Sequence, residues 1–293
     1  MIYVIRQLTR YSYASTVPFA RHLLRLEPTS GPGQTVRLST ISIEPMPHER
    51  TETDDFFGNR VTHVAIERPH ETLTVTSEAE VEVTAPPALD PEATPPWEEI
   101  SALAAASASL GPRSPMHHIF PSRLVPIVPA IRDYAAQSFS PGRPVLAGGV
   151  DLMARIKADF AYDPTATDVT TPTADAFALK RGVCQDFAHV MIAGLRALGL
   201  PAAYVSGYLR TEPAPGQPRL EGADASHAWV SLWCDDAAGW QGIDPTNGVR
   251  TGIDHIALAI GRDYADVAPV DGVIVASGGH SLEVSVDVTP LPA

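Results

Sequence analysis

Residues 183–198 read as a helix that is apolar nearly all round, with Val183, Phe187, Val190, Met191, Ile192, Leu195 and Leu198 leaving no broad polar face. A helix of this kind must be buried on every side, so the rest of the chain has to wrap around it. Gly182 breaks the chain before it, and Gly199 and Pro201 are stop signals after it. Cys184 then falls in the first turn. Unpaired backbone N–H groups and the positive end of the macrodipole lie there, and both favour a thiolate over a thiol.

The flanking chain divides by pattern. Residues 1 to about 85 are strand-like, with candidates at Met1–Tyr13, His22–Pro28, Val36–Glu44, Arg60–Glu67 and Leu73–Val83. Turn signals at Gly31-Pro32-Gly33 and Phe57-Gly58-Asn59 punctuate them. Short strands without a helical stretch predict an antiparallel β-sandwich. Residues 86–149 read as a Pro-rich linker and two helices, at Trp97–Leu110 and Leu124–Phe139, that pack on the C-terminal half of the chain. Residues 150–293 read as the main α+β unit. A helix capped by Asp151 carries Leu152, Ile156 and Phe160 on one stripe. A short helix ends near Lys180, and the central helix comes next. Strands then come at Ala202–Leu209, His227–Cys234 and Trp240–Asp244, with late strands at Val273–Ala276 and Leu282–Val288 assigned to the same unit.

Charge narrows the partners. The 293 residues carry a net charge of −13, which repels phosphate backbones and anionic lipid, so neither nucleic acid nor membrane is expected. No apolar run reaches the roughly 18 residues of a membrane span, and the first residues, Met1-Ile2-Tyr3-Val4-Ile5-Arg6, read as a strand rather than a signal peptide. The expected compartment is the cytoplasm. Two cysteines, Cys184 and Cys234, make no disulfide framework. Oligomeric state is not legible.

Two further residues complete a chemical set. His227 opens a strand on which His227, Trp229, Ser231 and Trp233 share one face, while Ala228, Val230, Leu232 and Cys234 share the other. Cys234 therefore points away from His227 and reads as packing. Asp244 ends the next strand, but the turn Asp235–Gly239 offsets the register, so a bulge or a diagonal contact is needed to bring it to His227. A thiol, a base and an orienting carboxylate in this chain order are what nucleophilic thiol chemistry requires. Taken singly, each residue also has a plain structural reading: a buried cysteine, a strand-end histidine and a turn-forming aspartate before Pro245.

Together, the runs Gly182-Val183-Cys184-Gln185-Asp186-Phe187-Ala188, Ala225-Ser226-His227-Ala228-Trp229 and Asp244-Pro245-Thr246-Asn247 resemble the core of the transglutaminase-like superfamily. The match is nearest to the bacterial group often described as candidate cysteine proteases, and flanking runs such as Val205-Ser206-Gly207-Tyr208 and Gly261-Arg262-Asp263-Tyr264 fit it too. Residues 1–85 look like the β-rich domain that precedes the core in that group. Gly248, where Asn is expected, is a departure.

The resemblance implies a papain-like α+β core in which Cys184 is the nucleophile, His227 the base and acid, and Asp244 the orienting group. It also implies a peptide or protein amide substrate and no cofactor. The backbone N–H of Cys184 is one oxyanion donor, and Tyr162 is the candidate for a second. Gln185, Trp233 and Trp240 are candidates for the substrate cleft, and the loop Thr211–Ala225 is a candidate lid. His117, His118 and His189 lack the spacing of a metal site, and Asp235-Asp236 lacks that of a calcium loop. Hydrolysis of a peptide, amide or isopeptide bond is the first reading, since nothing in the sequence names an acceptor amine. Amine transfer to protein glutamine and a catalytically silent binding module are the alternatives.

Overall fold

The computed structural model describes residues 1–211 and 225–292. In chain order the strands are β1 (Ile2–Val17), β2 (Phe19–Leu24), β3 (Gln34–Glu44), β4 (Glu49–Asp54), β5 (Arg60–Ile66) and β6 (His70–Val83). Helices α1 (Trp97–Ala105), α2 (Pro129–Ala136) and α3 (Val145–Asp159) come next, then β7 (Ala161–Tyr162), α4 (Thr173–Leu179), β8 (Arg181–Gly182) and the central helix α5 (Cys184–Ala197). The chain continues through β9 (Ala202–Leu209), β10 (Ala225–Trp233), β11 (Trp240–Asp244), β12 (Val249–Arg250), β13 (His255–Gly261), α6 (Tyr264–Val267), β14 (Val270–Val275) and β15 (His280–Pro290).

Two antiparallel four-stranded sheets, ordered β15-β1-β6-β3 and β14-β2-β5-β4, form the predicted sandwich. A five-stranded sheet, β12-β11-β10-β9-β13, forms the core with α5. The long strands explain how the two parts join. β1 spans 16 residues, roughly 50 Å at the usual strand rise, and one face of it serves two partners. Val17, Leu73 and Val75 at one end pack with Ala20, Leu24, Val64 and Ile66 of the second sandwich sheet. Tyr3, Ile5, Val81 and Val83 at the other end pack against Tyr208, Ile256 and Leu258 of the core sheet. The opposite face of the core sheet, through Ala228, Val230 and Leu232, covers α5. Twelve of the 14 residues of α5 are buried, as its all-round apolar sequence requires.

Several expectations are corrected. The late strands do not belong to the core unit at 150–293: β14 pairs with β2, and β15 pairs with β1 from Tyr13↔His280 to Tyr3↔Pro290. Alternation identifies a strand but not the sheet edge it joins. The helix expected from Asp151 begins two turns earlier, at Val145. Gly148 and Gly149, poor helix formers, lie in its first turns. A Cβ on Gly148 would lie 2.4 Å from the Phe139 ring, and one on Gly149 2.7 Å from Leu232, so these glycines allow close packing rather than a break. The expected helix Leu124–Phe139 shrinks to Pro129–Ala136, with Pro129 at its first turn, and the one expected to Leu110 ends at Ala105. β4 was missed because all its residues are exposed and mostly charged, and β13 because a bulge between Ala257 and Ala259 interrupts its alternation. No helix among the described residues is long and apolar enough to cross a membrane.

Deleting residues 269–293 removes an edge strand from each sandwich sheet and exposes the partners of the buried Val286 and Val288. The melting temperature is expected to fall by on the order of 10 °C. Thermal unfolding followed by circular dichroism checks this; an unchanged transition would mean that these strands add nothing to the sandwich.

Candidate active site

Cys184 is the first residue of α5, preceded by Val183 in an extended conformation. The turn is held by Asp186, whose Oδ2 accepts from the Val183 N–H at 2.8 Å and from the Thr167 hydroxyl at 2.7 Å. Here a carboxylate at the third helical position satisfies a backbone donor just ahead of the helix. Gly182 makes room for it: a Cβ there would lie 2.3 Å from Asp186 Oδ2. The short parallel pair β7–β8 sets Tyr162 beside Gly182. Tyr162 is 58% exposed and stands close enough to Cys184 that burial and the sulfur together raise its pKa.

His227 and Asp244 meet on neighbouring strands. The register pairs Val230 with Ile243 and Trp233 with Trp240, so Asp244 lies diagonal to His227, which is the offset that the turn demanded. His227 Nε2 is 2.8 Å from Asp244 Oδ2. The sulfur of Cys184 lies near enough to this imidazole to help raise its pKa. Burial alone would lower the His227 pKa, but the hydrogen bonds and charges of Asp244 and Cys184 outweigh it and raise it to about 9. Asp244 is fully buried. Burial works against its charge, yet bonds from His227, His255 and Asn247 hold its carboxyl well below the usual range.

That carboxylate is saturated with donors. Oδ1 accepts from the backbone N–H of Thr246 at 2.9 Å and of Asn247 at 3.2 Å. Oδ2 accepts from His227, from Asn247 Nδ2 at 2.7 Å and from His255 Nε2 at 3.3 Å. Sequence reasoning missed Asn247 and His255. The first belongs to the quoted Asp-Pro-Thr-Asn run and was readable as a side-chain donor three residues on. The second opens the strand that the bulge concealed.

Other candidates lie elsewhere. Trp233 sits six residues along β10 from His227, roughly 20 Å away by strand rise, buried in the core that surrounds α5. Trp240 is its cross-strand neighbour and packs on His118 at 5.1 Å. Neither shares a cleft with Cys184, because alternation gives a residue's face and not its position along the strand. Gln185 is buried, its amide donating to Val169 O at 3.3 Å. Trp229, read as packing, is buried with its ring 6.2 Å from that of His227. Cys234 is fully buried, and burial pushes its thiol up to about 12. The candidate lid lies at 212–224, outside the described residues, except for its ends.

Among the described residues, His227, Asp244 and His255 bring potential metal-ligand atoms within 4.8 Å of one another. Their proton placement suits a hydrogen-bond fan instead. The Gly252 N–H points at His255 Nδ1 at 3.3 Å, so the His255 proton is on Nε2 and is donated to Asp244, where a metal would need a lone pair. His117 and His118 are separately engaged with Phe56 and with Trp240. His189 accepts from the Tyr264 N–H at 3.2 Å.

Known proteins agree with this architecture. Residues 3–82 match the bacterial transglutaminase-like N-terminal region, and residues 132–245 match the transglutaminase-like superfamily. An uncharacterized protein of Mycobacterium tuberculosis is 38% identical over 98% of this chain and 92% of its own length, and one of Mycobacterium leprae is 35% identical over 97% and 96%. A protein-glutamine gamma-glutamyltransferase of Pseudomonas aeruginosa is 32% identical over 41% of this chain and 20% of its own. The crystal structure of a candidate cysteine protease from Cytophaga hutchinsonii shares the fold, with a TM-score of 0.74 and 19% identity, covering 100% of this chain and 92% of that one. With its β-rich N-terminal region and its thiol-bearing core matched in order along one chain, this protein belongs to the transglutaminase-like superfamily.

Proposed function

We propose that the protein is a thiol-dependent acyl-transfer enzyme that hydrolyses a peptide, amide or isopeptide bond with Cys184, His227 and Asp244 as its triad. The observation that carries this reading is a buried imidazole bonded to Asp244 at 2.8 Å, with Cys184 close by at a helix N-terminus. In the proposed reaction the Cys184 thiolate attacks the amide carbonyl carbon. The developing oxyanion faces the Cys184 N–H, with the Tyr162 hydroxyl as second donor. As the C–N bond breaks, the proton on His227 Nδ1 passes to the departing amine, leaving a thioester on Cys184. Water then attacks the thioester while His227 takes its proton, and the thiolate is released.

Amine transfer is the second reading, favoured by the local likeness to the protein-glutamine gamma-glutamyltransferase. It uses the same thioester, with a primary amine in place of water. Wild type and Cys184→Ala assayed on a library of peptide amides and isopeptides, with and without a primary amine, separate the readings. Cleavage is expected with wild type and is expected to fall by at least about a thousandfold in the variant. Amine incorporation would move the assignment to transfer. Absence of any Cys184-dependent product across the library would favour a silent module.

The thiols differ enough to be told apart directly. Iodoacetamide is expected to label Cys184, which is partly exposed, and to spare buried Cys234 in the folded protein. Peptide mapping after brief labelling checks this, and equal slow labelling of both would count against an activated Cys184.

The pH dependence derives from His227. Its folded pKa, about 9, exceeds the ordinary value near 6.5. The protonated imidazole, and the stability it contributes, is therefore fully present below the unfolded value and lost as pH rises through about 9. Activity is expected to fall over the same range, since the leaving amine needs that proton. Asp244→Asn removes the carboxylate that raises the pKa, so the alkaline limb is expected to move toward neutrality. A kcat/KM profile with an unmoved limb would contradict this account.

A further inference from the structure

His255 plays no part in the proposed steps, yet it is built into the triad's carboxylate. Its side chain is 7% exposed and its Nε2 lies 3.3 Å from Asp244 Oδ2. The Gly252 N–H fixes the donor tautomer, and the ring meets Trp229 edge-on, 5.3 Å between centroids at 84°. The strand that carries it is clamped by the sandwich domain. Gln34 exchanges two hydrogen bonds with the Ala257 backbone, both 2.8 Å, and Asn59 does the same with Ile260 at 2.8 and 2.7 Å. The Tyr3 hydroxyl and Arg210 both bond Asp254, the preceding residue, at 3.0 Å. Two amide side chains thus complete the free edge of β13 as a neighbouring strand would.

The geometry points to His255 as a positioning residue that the N-terminal sandwich holds against Asp244 and that tempers the pull of Asp244 on the His227 proton. This rests on the proposed triad. The groups facing His227 are Asp244 and Asn247 from the end of β11, Cys184 from α5 and the rings of Trp229 and His255. His255 faces Asp244, Trp229, His227 and the Gly252 N–H. Asp244 is already fixed by two backbone donors and by Asn247, so losing His255 changes its electron density more than its position. A neutral donor aimed at Oδ2 stabilises the bare carboxylate more than one that already neighbours an imidazolium. It therefore opposes protonation of His227. Without it the imidazolium holds its proton more tightly and is a weaker acid toward the leaving amine.

The test is the titration of His227 in the full chain without substrate, followed by ring 13Cε1 shifts and assigned with His227→Gln. His255→Phe removes the donor and keeps the bulk; His255→Gln keeps an N–H near the same place. The His227 midpoint is expected to rise by about half a unit or more in His255→Phe, to stay near wild type in His255→Gln, and kcat is expected to fall only in the former. A smaller rise, a fall, or equal shifts in both variants would overturn the proposal. If His255→Phe does not fold, His255→Leu replaces it. Because the titration needs no substrate, failure to find activity and failure of this inference are separate results.

Discussion

The candidate site depends on one buried charge. Asp244 is entirely removed from solvent, and an isolated carboxylate there would be too costly to keep ionised. Five donors make it tolerable: two backbone N–H groups in its own turn, the Asn247 amide and two imidazoles. Those donors come from three stretches of chain, so the charge is stable only when β10, β11 and β13 are all in place. Satisfied in this way, it supports a protonated imidazole that burial alone would discharge.

The fold converts that requirement into an assembly. α5 brings the sulfur, because a helix apolar all round has nowhere to go but the centre and so carries its N-terminus to the end of the core sheet. The long strands of the sandwich divide one face between their own partner sheet and the core sheet. Buried polar contacts lie along the junction, among them Tyr208 to Gln7 at 2.6 Å. The sandwich therefore braces β13, whose first residue, His255, reaches the carboxylate from the far edge of the sheet. The chain's last two strands return to close that sandwich, so both ends of the sequence support the site made by its middle.

How much of the site was legible depends on which signals are local. Cys184, His227 and Asp244 sit in short motifs with a helix start and two strands to place them, and the turn at Asp235–Gly239 even announced the diagonal register. Tyr162 was reachable because it comes just after the preceding helix. His255 was not, since its strand is bulged and its partner lies across the sheet. Trp233 and Trp240 misled because strict alternation assigns them the His227 face, whereas they lie at the far end of the hairpin and pack with the core around α5. Asp151 was read as the start of its helix, whereas Gly148 and Gly149 lie within it and let Phe139 and Leu232 pack closely.

In the proposed reaction, Cys184 carries the acyl group between its two halves. Rapid-quench intact-protein mass spectrometry with a peptide-amide library tests it most directly. A transient mass increase equal to the acyl portion is expected, mapped to Cys184, absent in Cys184→Ala and cleared by water or amine. Product formed with no adduct on Cys184, or in equal amount by Cys184→Ala, would contradict it.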